Sequence, residues 1–213
     1  MRVIFTLFIS SLIGVIIPGD YAVAQRNFDI TKFNKSDSTQ GLLIYSISTM
    51  KQAYSSYYLE IYHFESRKKE KLMLMPLHSS PEIKNDSVKV YYQAAMLPSG
   101  DYKIYGWGMT YNNGSGITYF PMGNFGLPFT VSGGRINYLG DYLGITSKGR
   151  NAIGMKVPSG GYFIVSNRFE KDYPAIVEKW PGLDLNSVLN AMPDFSENKP
   201  SRSLMLLKGI NIP

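Results

Sequence analysis

From Gly41 to Ser166 the chain is a succession of short runs in which apolar and polar residues alternate, each closed by Gly, Pro or Asn. A period of two belongs to strands, whose successive side chains point to opposite faces. Turn residues this close together leave no room for long helices. Ser56 to Phe64 (SYYLEIYHF) is the clearest run: Tyr58, Glu60, Tyr62 and Phe64 share one face, and Tyr57, Leu59, Ile61 and His63 the other. Further strands are expected at 41–48, 71–75, 87–94, 102–107, 117–120, 127–131 and 136–142. A last hairpin, 152–157 with 161–166, is expected to turn at Pro158-Ser159-Gly160. Turn signals stand at 97–101, at 111–116, where Asn-Gly accepts positive φ, and at Ser132-Gly133-Gly134. The basic run Arg67-Lys68-Lys69-Glu70-Lys71 lies between two apolar stretches and reads as a solvated hairpin turn. Many short strands of this kind predict an all-β fold, an antiparallel sandwich or barrel.

After Ser166 the period changes. Phe169, Tyr173, Ile176 and Trp180 recur at helical spacing, with Asn167 as a cap and Glu170 behind it. Pro174 conflicts with a helix interior and predicts either a kink or a helix that restarts there. Asp184 is placed to cap a second short helix carrying Leu185, Val188, Leu189 and Met192. The polar stretch 193–203 reads as a linker, and Leu204 to Lys208 as an edge strand or a segment packed in a groove.

The N-terminus reads as an address. Arg2 precedes an uncharged apolar run, Val3 to Ile17, which Pro18-Gly19-Asp20 breaks before the small-x-small site Ala22-Val23-Ala24. These are the parts of a secretory signal. The run is shorter than the roughly 20 apolar residues that a spanning helix needs. Cleavage after Ala24 exposes Gln25, and with no Cys in the chain a lipid anchor is excluded. The expected product is soluble, periplasmic or secreted, with no transmembrane segment. The chain then divides into a signal peptide (1–24), an extended lead-in (25–40), a sandwich domain (41–166) and a C-terminal helical appendage and tail (167–213). Without disulfides, its stability has to come from packing, which a chain of this length supports.

The formal net charge of +6 suggests attraction to acidic surfaces. No long basic stripe or recognition motif accompanies it, so nucleic acid is not expected as a partner. Two isolated histidines, His63 and His78, and no Cys argue against a zinc site. No Asp-rich calcium loop, phosphate loop or dinucleotide fingerprint occurs, and no cofactor is expected. Gly114-Ser115-Gly116 lacks the outer glycines of a nucleophile elbow. Paired carboxylates are the remaining catalytic option. Glu60 is the first to check, because it lies within a central strand, where an outward, solvent-facing position also accounts for it.

Aromatic residues are the best lead: 16 Tyr, 11 Phe and 2 Trp. Tyr105 and Trp107 share a strand face with Lys103, and Tyr111 and Tyr119 flank the Asn-Gly loop. These five residues are the candidate binding residues. Stacked rings beside polar groups can hold a sugar or peptide, and strands also favour aromatics for packing.

The segments LPSGDYKIYGW (97–107) and LPFTVSGGRINYLGDY (127–142) resemble the signature of prealbumin-like, carboxypeptidase-regulatory-like sandwich domains. In that family the first opens a strand from a Pro-Gly turn and the second is a hairpin. The resemblance implies that Pro98 and Gly100 form the turn, that Tyr102 and Ile104 enter the core, and that Gly133-Gly134 reverse the chain. The layout from Gly41 to Pro181 also resembles a group of bacterial exported proteins of unknown function, which supplies no catalytic residues. The expected function is a non-enzymatic envelope protein that binds a macromolecule or glycan. A carbohydrate-active hydrolase and an envelope assembly subunit are the alternatives.

Overall fold

The computed structural model describes residues 22–23, 29–50, 54–112, 117–150, 152–193 and 204–206. The signal sequence before Ala22, with its cleavage site at Ala24, lies outside them. In chain order the strands are β1 (Ala22–Val23), β2 (Gln40–Met50), β3 (Ser56–His63), β4 (Lys69–Leu74), β5 (Ile83–Lys84) and β6 (Val88–Pro98). Then follow β7 (Gly100–Asn112), β8 (Ile117–Val131), β9 (Ile136–Arg150), β10 (Lys156–Ser166), helix α1 (Phe169–Lys179), β11 (Leu189–Asn190) and β12 (Leu204–Leu206). Sheet A has the order β1-β4-β3-β7-β8, and sheet B β12-β10-β9-β2-β6-β5. The fold is an all-β sandwich with a short helix laid on one sheet.

Two apolar layers result. Between the sheets lie Leu43, Tyr45 and Ile47 of β2, Tyr57, Leu59 and Ile61 of β3, and Trp107 and Met109 of β7, with Phe163 of β10 among them. On the far side of sheet B, Leu42, Ile44, Tyr92 and Tyr138 meet Ile176 and Trp180 of the helix. Sheet B is therefore covered on both faces. This is why GLLIYSIS lacks clean alternation: every residue from Gly41 to Thr49 is buried.

The sandwich is not wholly antiparallel. β2 pairs antiparallel with β6 but parallel with β9, and β12 runs parallel to β10. Residues 117–131 form one strand rather than two, because an irregularity opposite Tyr105 absorbs the stretch between Gly123 and Leu127. The last hairpin turns at 152–155, with β9 running on to Arg150. Pro158-Ser159-Gly160 is a bulge inside β10. Of the two expectations for 204–208, an edge strand or a segment in a groove, Leu204–Leu206 form the strand, β12; residues 207 and 208 lie outside the described residues. Residues 29–39 form tight turns, with the side chains of Asp29, Asn34 and Asp37 each accepting the backbone N–H two residues on.

The helix does not restart at Pro174; α1 runs through it. Both Pro174 and Glu170, whose carbonyl loses its partner, are exposed, so water can take up the lost hydrogen bond. The expected second helix is a single 3₁₀ turn, Leu185–Ser187, capped by Asp184. The chain then joins the sheet as β11, paired with Asn137 and Tyr138 where β10 has ended. A sheet edge with open hydrogen-bonding groups outweighed the helical stripe at 185–192.

What ties α1 to sheet B is a buried charge cluster. Asp141 of β9 accepts the hydroxyls of Ser46 (2.7 Å) and Ser48 (2.6 Å). Arg168, just before the helix, lies 3.7 Å from Asp141 and 3.2 Å from Asp172, and both carboxylates are fully buried. The hydroxyls of Tyr92 and Tyr138 face the same space. One cation thus serves two acids. Burial pushes the Asp172 carboxyl up to about 6, against the pull of Arg168, and Asp141 adds to the rise. Asp141 is raised too, again by burial. It reaches this cluster through a bulge: Ile44 pairs with Tyr138 but Ser46 with Asp141. Gly140, at φ 108°, supplies the backbone that this requires.

These pKa directions make a prediction. A carboxyl that is harder to ionise in the fold than in the unfolded chain stabilises below its unfolded pKa and loses that contribution as pH rises through its folded value. For Asp172 the loss runs from about pH 4 to pH 6. Asp172→Asn is expected to be more stable than the parent at pH 8, by about 2–3 kcal/mol, and to match it near pH 4. Chemical denaturation across that range checks it; parallel curves for the two proteins would contradict it.

Candidate functional site

The solvent-facing side of sheet A carries the aromatic and basic residues of three strands. On β3, Tyr57, Leu59 and Ile61 turn inward, which leaves Tyr58, Glu60 and Tyr62 outward, followed by exposed Phe64. On β4, Leu72 and Leu74 turn inward and Lys69 and Lys71 outward. The register aligns them: Tyr62 pairs with Lys69 on one side and Lys103 on the other. Lys69, Tyr62, Lys103 and Pro128 therefore make one row across four strands.

The ammonium groups sit over rings. Lys71 lies 4.4 Å from the Tyr58 ring centroid, and Lys69 5.5 Å from that of Tyr105. Lys103 is 5.3 Å from Tyr62 and 5.6 Å from Phe64. Each such placement draws on the negative ring face. Tyr62 and Phe64 meet edge to face at 5.5 Å. Tyr58 lies flat across Gly108, where a Cβ would overlap its ring. Lys71 also pairs with Glu60 at 3.3 Å.

An open groove of about 400 Å³ borders this row, lined by Phe64, Asp101, Tyr102, Pro128, Phe129 and Thr130. Asp101 accepts the Thr130 hydroxyl at 2.7 Å. Beneath the groove, His63 stacks on Tyr102 at 4.4 Å, and its Nδ1 meets the Ser66 hydroxyl at 2.7 Å. Tyr102 donates to the Pro98 carbonyl (2.9 Å), which closes the β6–β7 turn. Burial raises its phenol pKa, and the charges of Glu70 and Glu65 raise it further. Glu70 is raised by burial as well, against the pull of Lys68 and His63. The groove thus has an aromatic wall (Phe64) and an acceptor and hydroxyl pair (Asp101, Thr130), with the Lys103 ammonium outside its lining, over the Phe64 ring.

Of the five residues picked from sequence, Lys103 and Tyr105 lie on this face. Trp107 does not: it is 1% exposed, edge to face with Phe163 at 5.3 Å in the core. The cause is a bulge at Tyr105, because Ile61 pairs with Ile104 but Glu60 with Gly106. The extra residue reverses the alternation, so 103 and 105 point out while 107 and 109 point in. Tyr111 packs at the edge of the core, 6.5 Å from Tyr54. Tyr119 is placed only by its backbone, opposite Thr110 in β8, and its side chain lies outside the described residues. Phe64, Lys69 and Lys71 were missed as site residues. The alternation of β3 marked the face of Phe64, but only the β3–β4 pairing brings the two lysines onto it.

Among the described residues, no group of three or more His, Asp or Glu is arranged to hold a metal ion. Also among them, no helix is long and apolar enough to cross a membrane. Neither a family model nor a curated protein matches the chain. Two solved structures share part of its course. A leucine-rich repeat protein from Bacteroides thetaiotaomicron VPI-5482 aligns with TM-score 0.33 and 16% identity, over 69% of this chain and 17% of that one. A proposed cell adhesion protein from Parabacteroides distasonis ATCC 8503 aligns with TM-score 0.27 and 11% identity, over 57% of this chain and 38% of that one. The chain spans well under half the length of either structure.

Proposed function

We propose that this chain is an exported, non-enzymatic binding protein of the bacterial cell envelope, and that it holds an acidic glycan on the outer face of sheet A. The carrying observation is the placement of Lys103 over both Tyr62 and Phe64 at the rim of an open groove. Rings offer apolar area to the faces of a sugar. The lysines then select glycans with carboxylate, sulfate or phosphate groups. Export through the Ala22-Val23-Ala24 site and prealbumin-like ancestry are parts of the same proposal. The Pro98–Gly100 turn, the buried Tyr102 and Ile104, and the reversal at Gly133-Gly134 support the ancestry.

The alternatives fare less well. A glycosidase needs two carboxylates across a cleft, and Glu60 lies on an open face beside Lys71. An assembly subunit needs an edge strand free to pair. β8 ends sheet A as a 15-residue strand, but Pro121 and Pro128 remove two of its donors.

Phe64→Ala and Lys103→Gln are each expected to weaken binding of an acidic oligosaccharide about tenfold, a loss of about 1.4 kcal/mol. Thermal unfolding is expected to change little, since both side chains project outward. Raising the salt concentration is expected to weaken the parent more than Lys103→Gln. Titration calorimetry of the exported chain checks both. Unchanged affinity in the two variants would sink the assignment.

A further inference from the structure

The opposite end of the sandwich carries a second surface. β2 ends at Met50, paired with Val88, and Thr49 pairs with Gly144. Beyond Gly144, β9 continues for six residues with, among the described residues, only β10 beside it in sheet B, and the hairpin turns at 152–155. This carries it about 20 Å past its last residue paired with β2. Sheet A runs alongside the first part of this overhang: a Cβ at Gly144 would touch Tyr57 and Met109, and the Tyr54 hydroxyl donates to the carbonyl of Gly160, which pairs with Ser147. The turn after β4, Pro76–His78, is brought to this end by the pairing of Tyr57 with Leu74.

Large apolar side chains are exposed along this end, Ile153 and Met155 at the hairpin tip. Ile153 is 76% exposed, Met155 56% and Leu77 84%, and Met50 is exposed as well. These are four of the six large exposed apolar residues among the described ones. Cations surround them. Lys148, Arg150 and Lys156 are exposed on the hairpin, with Lys84 and Lys89 at the paired ends of β5 and β6. Arg150 donates to the Gly154 carbonyl at 3.0 Å and braces the tip. The acids nearby are Asp86 in the β5–β6 turn and Glu82, which is taken up by Lys179.

We infer that this end docks on an anionic phospholipid bilayer, with Ile153 and Met155 entering the headgroup region and the lysines and Arg150 meeting lipid phosphates. An apolar pair on a projecting tip, ringed by cations, fits a deformable surface with a negative exterior and an apolar interior. A rigid protein partner would need a matching cavity to receive the tip. The surface is separate from sheet A's outer face, and the two inferences stand or fall independently.

Co-sedimentation of the exported chain with lipid vesicles tests it. Binding is expected to phosphatidylglycerol-containing vesicles and not to pure phosphatidylcholine. The double variant Ile153→Asp with Met155→Asp is expected to bind at least about tenfold more weakly. The triple variant Lys148→Gln, Arg150→Gln and Lys156→Gln should lose about 100-fold, from roughly fivefold per cation. Phe64→Ala should bind vesicles as the parent does. Thermal unfolding of every variant should match the parent, since these residues are exposed. Three results would each overturn the proposal: no binding to anionic vesicles, equal binding by the variants, or a dimer in the absence of lipid that the Asp variant dissociates. The last would make a second copy the occupant.

Discussion

Replacing Arg168 with methionine is expected to cost about 3–5 kcal/mol at pH 8 and far less at pH 5. The guanidinium is the one cation facing the fully buried Asp141 and Asp172 among the described residues. Without it, two buried carboxylates share the space beneath α1, and removing one partner of a buried ion pair is among the most damaging single changes. Both carboxyls already sit above their ordinary range because burial disfavours their charge. They escape the loss of Arg168 by taking up protons, so lower pH should rescue the variant. The predicted signature is a gap in unfolding free energy that narrows steadily from pH 8 to pH 5. A gap below about 1 kcal/mol at pH 8, or one of constant size, would show that the cluster does not hold the helix.

Trp107→Ala is the second large effect, expected at about 3–5 kcal/mol. The indole fills the centre of the core against Phe163, and the neighbouring strands cannot close over the space it leaves. Tyr105→Ala, two residues away on the outward face, should cost well under 1 kcal/mol. Denaturant titrations of the two variants test the bulge that separates them. Equal losses would mean that the alternation of β7 is unbroken and that Trp107 faces outward.

That pair of residues shows where sequence reading stops. Alternation in β3 placed Tyr58, Glu60 and Tyr62 on one face, and they lie there, because β3 is regular and Tyr57, Leu59 and Ile61 all enter the core. In β7 the same logic put Lys103, Tyr105 and Trp107 together. One extra residue at Tyr105 sends Trp107 to the core, and a bulge leaves no mark in the side-chain pattern. Asp141 was hidden in the same way, since the Gly140 bulge carries it beneath the helix. GLLIYSIS was recognisable as a strand. Its burial on both faces depends on α1, more than a hundred residues later. The site itself was half legible: the rings of β3 and Lys103 could be read along the chain, but the lysines of β4 reach them only through pairing.

The most direct test of the binding face is a side-chain-resolved NMR titration of the exported chain with an acidic oligosaccharide. The account predicts that the shifts will concentrate on Tyr62, Phe64, Lys69, Lys103 and Thr130. Shifts confined to α1 or to the hairpin tip at Ile153, with none on sheet A, would contradict it.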